Sequence, residues 1–158
     1  MLERYPRPHG IVVWAILTGL LTACGGSDPA TPEDPCELQA LPFSGSAAGP
    51  VVQQVTLELQ PSGLVVLATA IDPQGSDDLT NVVQTVAVYP DASCVGAPLP
   101  ITDDLACSDC EESFGTLVSS SEPLYAAVAA AESWPVSVTF SDASGNVTAG
   151  NVSARVVR

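Results

Sequence analysis

The side chains best suited to chemistry in this chain are five cysteines: Cys24, Cys36, Cys94, Cys107 and Cys110. Cys107-Ser108-Asp109-Cys110 has the C-x-x-C spacing of a redox dithiol or of half a zinc site. A redox thiol needs a helix N-terminus or a neighbouring cation to favour its thiolate. Asp109, Glu111 and Glu112 do the opposite, and no βαβ pattern surrounds the motif. The spacing therefore reads as structural bridging. Acids cluster at Asp72, Asp77 and Asp78, and again at Asp103, Asp104, Asp109, Glu111 and Glu112. Calcium favours oxygen-rich loops of this kind, yet no D-x-D-x-D-G loop is present, and a solvated acidic loop is the simpler reading. Neighbours such as Asp103 and Asp104 on an extended chain point to opposite sides, which is poor geometry for a catalytic pair.

What is missing narrows the chemistry further. His9 is the only histidine, and the chain has no lysine. Past residue 9, Ser-His-Asp and Cys-His catalysis are excluded within one chain. A lysine Schiff base, a P-loop lysine and His-ligated zinc or copper go with them. A hydrolase built on paired carboxylates is the remaining catalytic option. No catalytic residue, metal ligand or cofactor is assigned, and the expectation is a protein that is not an enzyme.

The N-terminus has its own grammar. Arg4 and Arg7 stand against Glu3, and residues 11–21, IVVWAILTGLL, are free of charge. Eleven apolar-rich residues suit a signal-peptide h-region of ~7–15 and fall short of the ~20 that span a bilayer. Leu21-Thr22-Ala23-Cys24 follows. This run resembles the bacterial lipobox, Leu-(Ser/Thr/Ala)-(Gly/Ala)-Cys, at all four positions. The resemblance implies cleavage between Ala23 and Cys24 and diacylglycerol on the Cys24 thiol, which would anchor the chain to a lipid bilayer. One acyl chain of this kind binds a membrane only marginally, at about 0.8 kcal/mol per buried CH₂, whereas two or three hold it firmly. An ordinary signal peptide cut at the same bond would leave Cys24 as a plain thiol. Gly25, where enteric-type sorting places Asp for inner-membrane retention, leans the expectation towards the outer membrane of a bacterial envelope.

Removing residues 1–23 takes Glu3 from the 18 acids and leaves Arg155 and Arg158, a side-chain charge of −15. Such a surface repels phosphate, so nucleic acid is an unsuitable partner. Anionic headgroups are repelled too, so lipid would have to do the anchoring. An envelope protein or surface ligand is the partner class this leaves. With Cys24 lipidated, Cys36, Cys94, Cys107 and Cys110 remain to form two disulfides in three possible connectivities. The favoured arrangement joins Cys94 to Cys107 and Cys36 to Cys110, tying the long loop to itself and the N-terminal arm to the loop.

The elements that would position these groups come from periodicity. Residues 24–49 are rich in Gly, Pro, Ser and acids, with Pro29, Pro32 and Pro35 at threefold spacing. This composition predicts an extended tether, pinned at its distal end through Cys36. From residue 50 onward the period is two. Val55, Leu57 and Leu59 form one half-buried face; residues 64–71 are apolar on both faces and so central. A third strand runs over 81–89 with Val82, Val86 and Val88 in phase, and short strands fall near 99–102 and 114–118. Trp134, Val136, Val138 and Phe140 alternate cleanly, as do Val152, Ala154 and Val156. Residues 124–132, LYAAVAAAE, fit either a helix or a strand, and their context favours a strand.

About seven short strands with regular turns predict an all-β antiparallel sandwich over residues 50–158. Ala70-Ile71-Asp72-Pro73-Gln74-Gly75 and the run from Val138 through Asp142, Gly145 and Asn146 resemble the turn and closing hairpin of bacterial immunoglobulin-like and cadherin-like repeats. That resemblance implies an immunoglobulin-like fold and leaves role open. The functional expectation is an envelope lipoprotein displaying a non-catalytic module for binding or support. The alternatives are a calcium-stabilised adhesion domain and a carboxylate-dependent hydrolase.

Overall fold

The computed structural model describes residues 36–75, 79, 82–104 and 111–158. Among these described residues, eight strands and one helix follow one another: β1 (Leu38–Gln39), β2 (Val51–Gln60), β3 (Gly63–Ile71), β4 (Val83–Val88), β5 (Leu99–Asp104), β6 (Glu111–Ser119), α1 (Pro123–Ala129), β7 (Ser133–Ser141) and β8 (Val147–Val157). The strands form a single sheet in the order β5-β4-β7-β8-β2-β3-β6, with β1 also paired to β8. The fold is all-β, as periodicity predicts. It departs from a purely antiparallel arrangement of seven strands, because β1 and β2 both run parallel to β8. Parallel neighbours need a long crossover, and here nearly the whole domain lies between them.

The sheet curls until strands far apart in its order face each other. Phe114 on β6 and Phe140 on β7 meet edge to face with ring centroids 6.2 Å apart, although β8, β2 and β3 lie between their strands in the path. The two ends of the path, β5 and β6, also approach one another. The interior so enclosed is filled from alternating positions: Leu64, Val66, Ala68 and Ala70 from β3, Trp134, Val136, Val138 and Phe140 from β7, Val152, Ala154 and Val156 from β8. β2 needs a correction to keep this pattern. Its register slips between Val52 and Gln54, and the slip lets Val52, Val55 and Leu57 all reach the core despite their mixed parity.

Residues 124–132 do not form the strand that context favours. Pro123 opens α1 at its first turn, where proline loses no hydrogen bond. Leu124 and Val128, four apart, put one helical face on the core. The alanines between them have the propensity to continue it. No basic residue lies in the last turn, but Arg158 supplies one from the chain end. Its Nη2 donates to the carbonyls of Ala129 and Ala131 at 2.9 and 2.8 Å, satisfying helix-end acceptors and complementing the helix dipole.

Two buried polar side chains finish the ladders. Gln84, fully buried in β4, donates from Nε2 to the Ser141 carbonyl at 2.8 Å and accepts the Ser141 N–H at 2.7 Å. Its amide thus stands in for a strand where the β4–β7 pairing stops. Thr148, fully buried, donates to the Pro50 carbonyl at 2.6 Å and accepts the Gly45 N–H at 3.0 Å. It fastens the segment before β2 onto β8. Replacing Gln84 by Ala would strand a buried N–H and a buried C=O, so Gln84→Ala should cost about 2–4 kcal/mol in urea unfolding, with an unchanged m-value.

Candidate functional site

The arm that follows Cys24 in sequence is described from Cys36 onward. Leu38 and Gln39 pair with Asn151 and Val152, and Phe43 exchanges backbone hydrogen bonds with Val52 at 3.1 and 2.9 Å. Gly150 is without a side chain where the Phe43 ring crosses it; a Cβ there would stand 3.2 Å from the ring. So a stretch whose composition predicts a tether lies along the sheet from Leu38 onward.

Cys36 fixes the arm covalently. It is bonded to Cys94, with Cα atoms 5.2 Å apart and a sequence separation of 58. This overturns the favoured pairing of Cys94 with Cys107 and Cys36 with Cys110. The reason lies in the β4–β5 loop. The Asp91 carboxylate accepts the N–H groups of Ser93 at 2.8 Å and Val95 at 3.2 Å. These bonds hold the loop in a tight turn, and Cys94 sits at its exit with φ 56°, in the left-handed region. The turn directs a buried Cys94 towards the arm. The same two N–H groups, Ser93 first, hold the Asp91 carboxyl below its ordinary pKa. Cys24, Ala23, Cys107 and Cys110 lie outside the described residues, as do Asp77, Asp78 and Asp109.

Two acids are built into turns: Asp72, from the first acidic cluster of the sequence, and Asp142, from the run that resembles a closing hairpin. Asp72 ends β3, and its carboxylate accepts the Gln74 N–H at 2.7 Å. Asp142 ends β7, buried, and accepts both the backbone and side-chain N–H of Asn146 at 2.7 Å. Burial pushes the Asp142 carboxyl up, but the hydrogen bonds from Asn146 and those from Ser144 and Gly145 outweigh it and leave the pKa lowered. Asp103 and Asp104 are exposed on β5, and successive positions there face opposite sides of the sheet.

One depression, of about 240 Å³, lies on the outer face where β2, β3, β6 and β8 run together. Gln54, Thr56, Glu58, Glu111 and Arg155 line it with Leu67 and Val157. Gln54 Nε2 donates to Thr56 Oγ1 at 3.0 Å. General-acid chemistry needs a carboxyl in an apolar, water-excluding pocket; this hollow is mostly polar and open. It offers hydrogen-bonding groups to a polar surface. Periodicity does not reveal it, since its residues come from four strands whose order is set by tertiary pairing. Gln84 and Thr148 left a fainter signal: each is polar in a phase otherwise apolar.

No protein-family model, curated protein or solved structure matches the chain. Its functional reading therefore rests on its own residues.

Two measurements test this geometry. The Asp142 pKa is lowered on folding, so its stabilisation is present above about pH 4 and lost as pH falls through the folded value. Wild type should lose more stability than Asp142→Asn between about pH 5 and pH 2.5 in thermal melts. The Cys36–Cys94 bridge closes a long loop, so Cys36→Ala with Cys94→Ala should lower stability by about 4 kcal/mol in chemical unfolding.

Proposed function

We propose that this chain is a bacterial envelope lipoprotein, anchored through Cys24, whose β domain is an immunoglobulin-like module with a binding or supporting role and no catalysis of its own. The observation that carries this reading is Leu21-Thr22-Ala23-Cys24 placed directly after a charged and then apolar N-terminus. The strand order supports the module. Reading β5-β4-β7-β8 and β2-β3-β6 as two facing layers gives a sandwich whose first long strand crosses over to run parallel with the last. The contact between Phe114 and Phe140 fits two such layers facing each other.

The arm fits the same reading. Twelve peptide steps separate Cys24 from Cys36, a reach of at most about 40 Å when fully extended. A module fixed at Cys36 would stand within that distance of the lipid surface. Its acidic surface would be repelled by anionic headgroups, which favours an extended arm.

Mass spectrometry of the full chain expressed in a bacterial host tests the anchor. The expected mature N-terminus is Cys24 carrying a diacylglyceryl group, with the protein in the membrane fraction. Cys24→Ala should be unlipidated and leave that fraction. A wild-type N-terminus other than Cys24, or an unmodified Cys24, refutes the anchor.

A further inference from the structure

The hollow on the outer face of β2, β3, β6 and β8 holds a cation whose hydrogen-bonding capacity is unspent. Arg155 and Arg158 are the cations among the described residues. Arg158 is engaged at the end of α1. Arg155 forms neither a hydrogen bond nor an ion pair among the described residues, although Glu58 and Glu111 line the same hollow. A guanidinium carries five N–H donors in a planar fork that matches a carboxylate. From Cys36 onward 14 acids stand against these two arginines, so carboxylates are plentiful, and the two nearest in the hollow do not close on Arg155.

Register explains the separation. Arg155 pairs with Thr56, Thr56 with Leu67 and Leu67 with Ser113, so one row crosses β8, β2, β3 and β6. Glu111 lies one row away at the β6 end, level with Gln54, since both pair with Thr69. Three strand spacings, about 14 Å, therefore separate the backbone of Arg155 from that of Glu111 across the hollow. Less the two side chains, that leaves the span of one or two residues at ~3.5 Å each. Glu58 stands one row from Arg155 on the other side, beside Val157. Between the charged ends, Gln54 and Thr56 present an amide and a hydroxyl, joined by their own hydrogen bond at 3.0 Å. Leu67 and Val157 add apolar surface.

We infer that this hollow binds a short peptide with both termini free, about the size of a dipeptide. Its C-terminal carboxylate lies on Arg155, its N-terminal ammonium on Glu111, and its amide against Gln54 and Thr56. Ligands without both charges fit worse. A plain anion is repelled by Glu58, by Glu111 and by the net charge of the domain. A plain cation is repelled by Arg155. A neutral polyol leaves the fork and the carboxylates without the charge-assisted bonds they are able to make. The hollow, at about 240 Å³, is smaller than the ~300–1,000 Å³ of drug-sized sites. The ligand is therefore small, and binding falls in the millimolar range. This gives the binding role proposed above a ligand class, and it rests on that role and not on the anchor.

The test follows the backbone amide NMR signals of the detergent-purified full chain during titration with alanyl-alanine. Saturable shifts should centre on Thr56, Leu67 and Arg155. Acetylating the amine of the peptide, or amidating its carboxyl, should each weaken binding by about threefold or more. Arg155→Gln should bind the free and the amidated peptide equally, and Glu111→Gln should bind the free and the acetylated peptide equally. Both side chains are exposed, so neither change should move the signals of the core. No saturable shift at the hollow, capped peptides that bind as tightly as the free one, or variants that keep the wild-type preference overturns the inference. The titration reads the β domain whether or not Cys24 carries lipid, so its failure is distinct from failure of the anchor.

Discussion

β8 pairs on both flanks, and the rest of the domain depends on that. It runs antiparallel to β7 along nine residue pairs and parallel to β1 and β2 on its other side. The parallel contacts join residues about a hundred positions apart, such as Thr56 and Arg155. Closing so long a loop costs only slightly more entropy than closing a short one, since the cost grows as the logarithm of length. With the seam made, the sheet curls on itself, Phe114 reaches Phe140, and apolar side chains from β2 and β3 share an interior with those of β7 and β8. The final strand also anchors the helix end: the Val156 N–H donates to the Glu132 carbonyl at 3.0 Å, and Arg158 holds the carbonyls of Ala129, at the end of α1, and Ala131, just past it.

The arm before β2 exploits the same strand. Thr148 bonds it at Pro50 and Gly45, Gly150 makes room for Phe43, and β1 takes up the remaining edge near Asn151. The Cys36–Cys94 bridge then secures its start. These are independent kinds of fastening on one short segment: buried hydrogen bonds, a ring over a glycine, strand pairing and a covalent link. A module held on a membrane by this end, as proposed, would transmit any pull through that segment into the β8 seam rather than into a hairpin turn.

The acids divide by job. Asp91 and Asp142 shape turns through charge-assisted hydrogen bonds to backbone N–H groups, and each has its carboxyl pKa lowered as a result. Asp103 and Asp104 lie on an edge strand together with Pro100. Charge and proline on an edge discourage another strand from adding there. The described carboxylates thus lie in turns, at edges and in solvent, where they cost least.

The sequence by itself determined the long strands and much of the core, though not β1, which lies within the stretch read as a tether. Period two marks β2, β4, β7 and β8 because one face of each meets apolar neighbours and the other is more open, while β3 is marked by an apolar run on both faces. Tertiary structure decided what local pattern could not. The bulge in β2 exists because two parities must reach one core. Residues 124–132 are ambiguous in isolation, and those up to Ala129 became helix once Pro123 began a turn, Leu124 and Val128 found the interior, and a distant Arg158 capped the end. The partner of Cys36 depended on the Asp91 turn and on where the arm lies along β8. The parallel seam itself joins segments a hundred residues apart, and no local periodicity carries information across that distance.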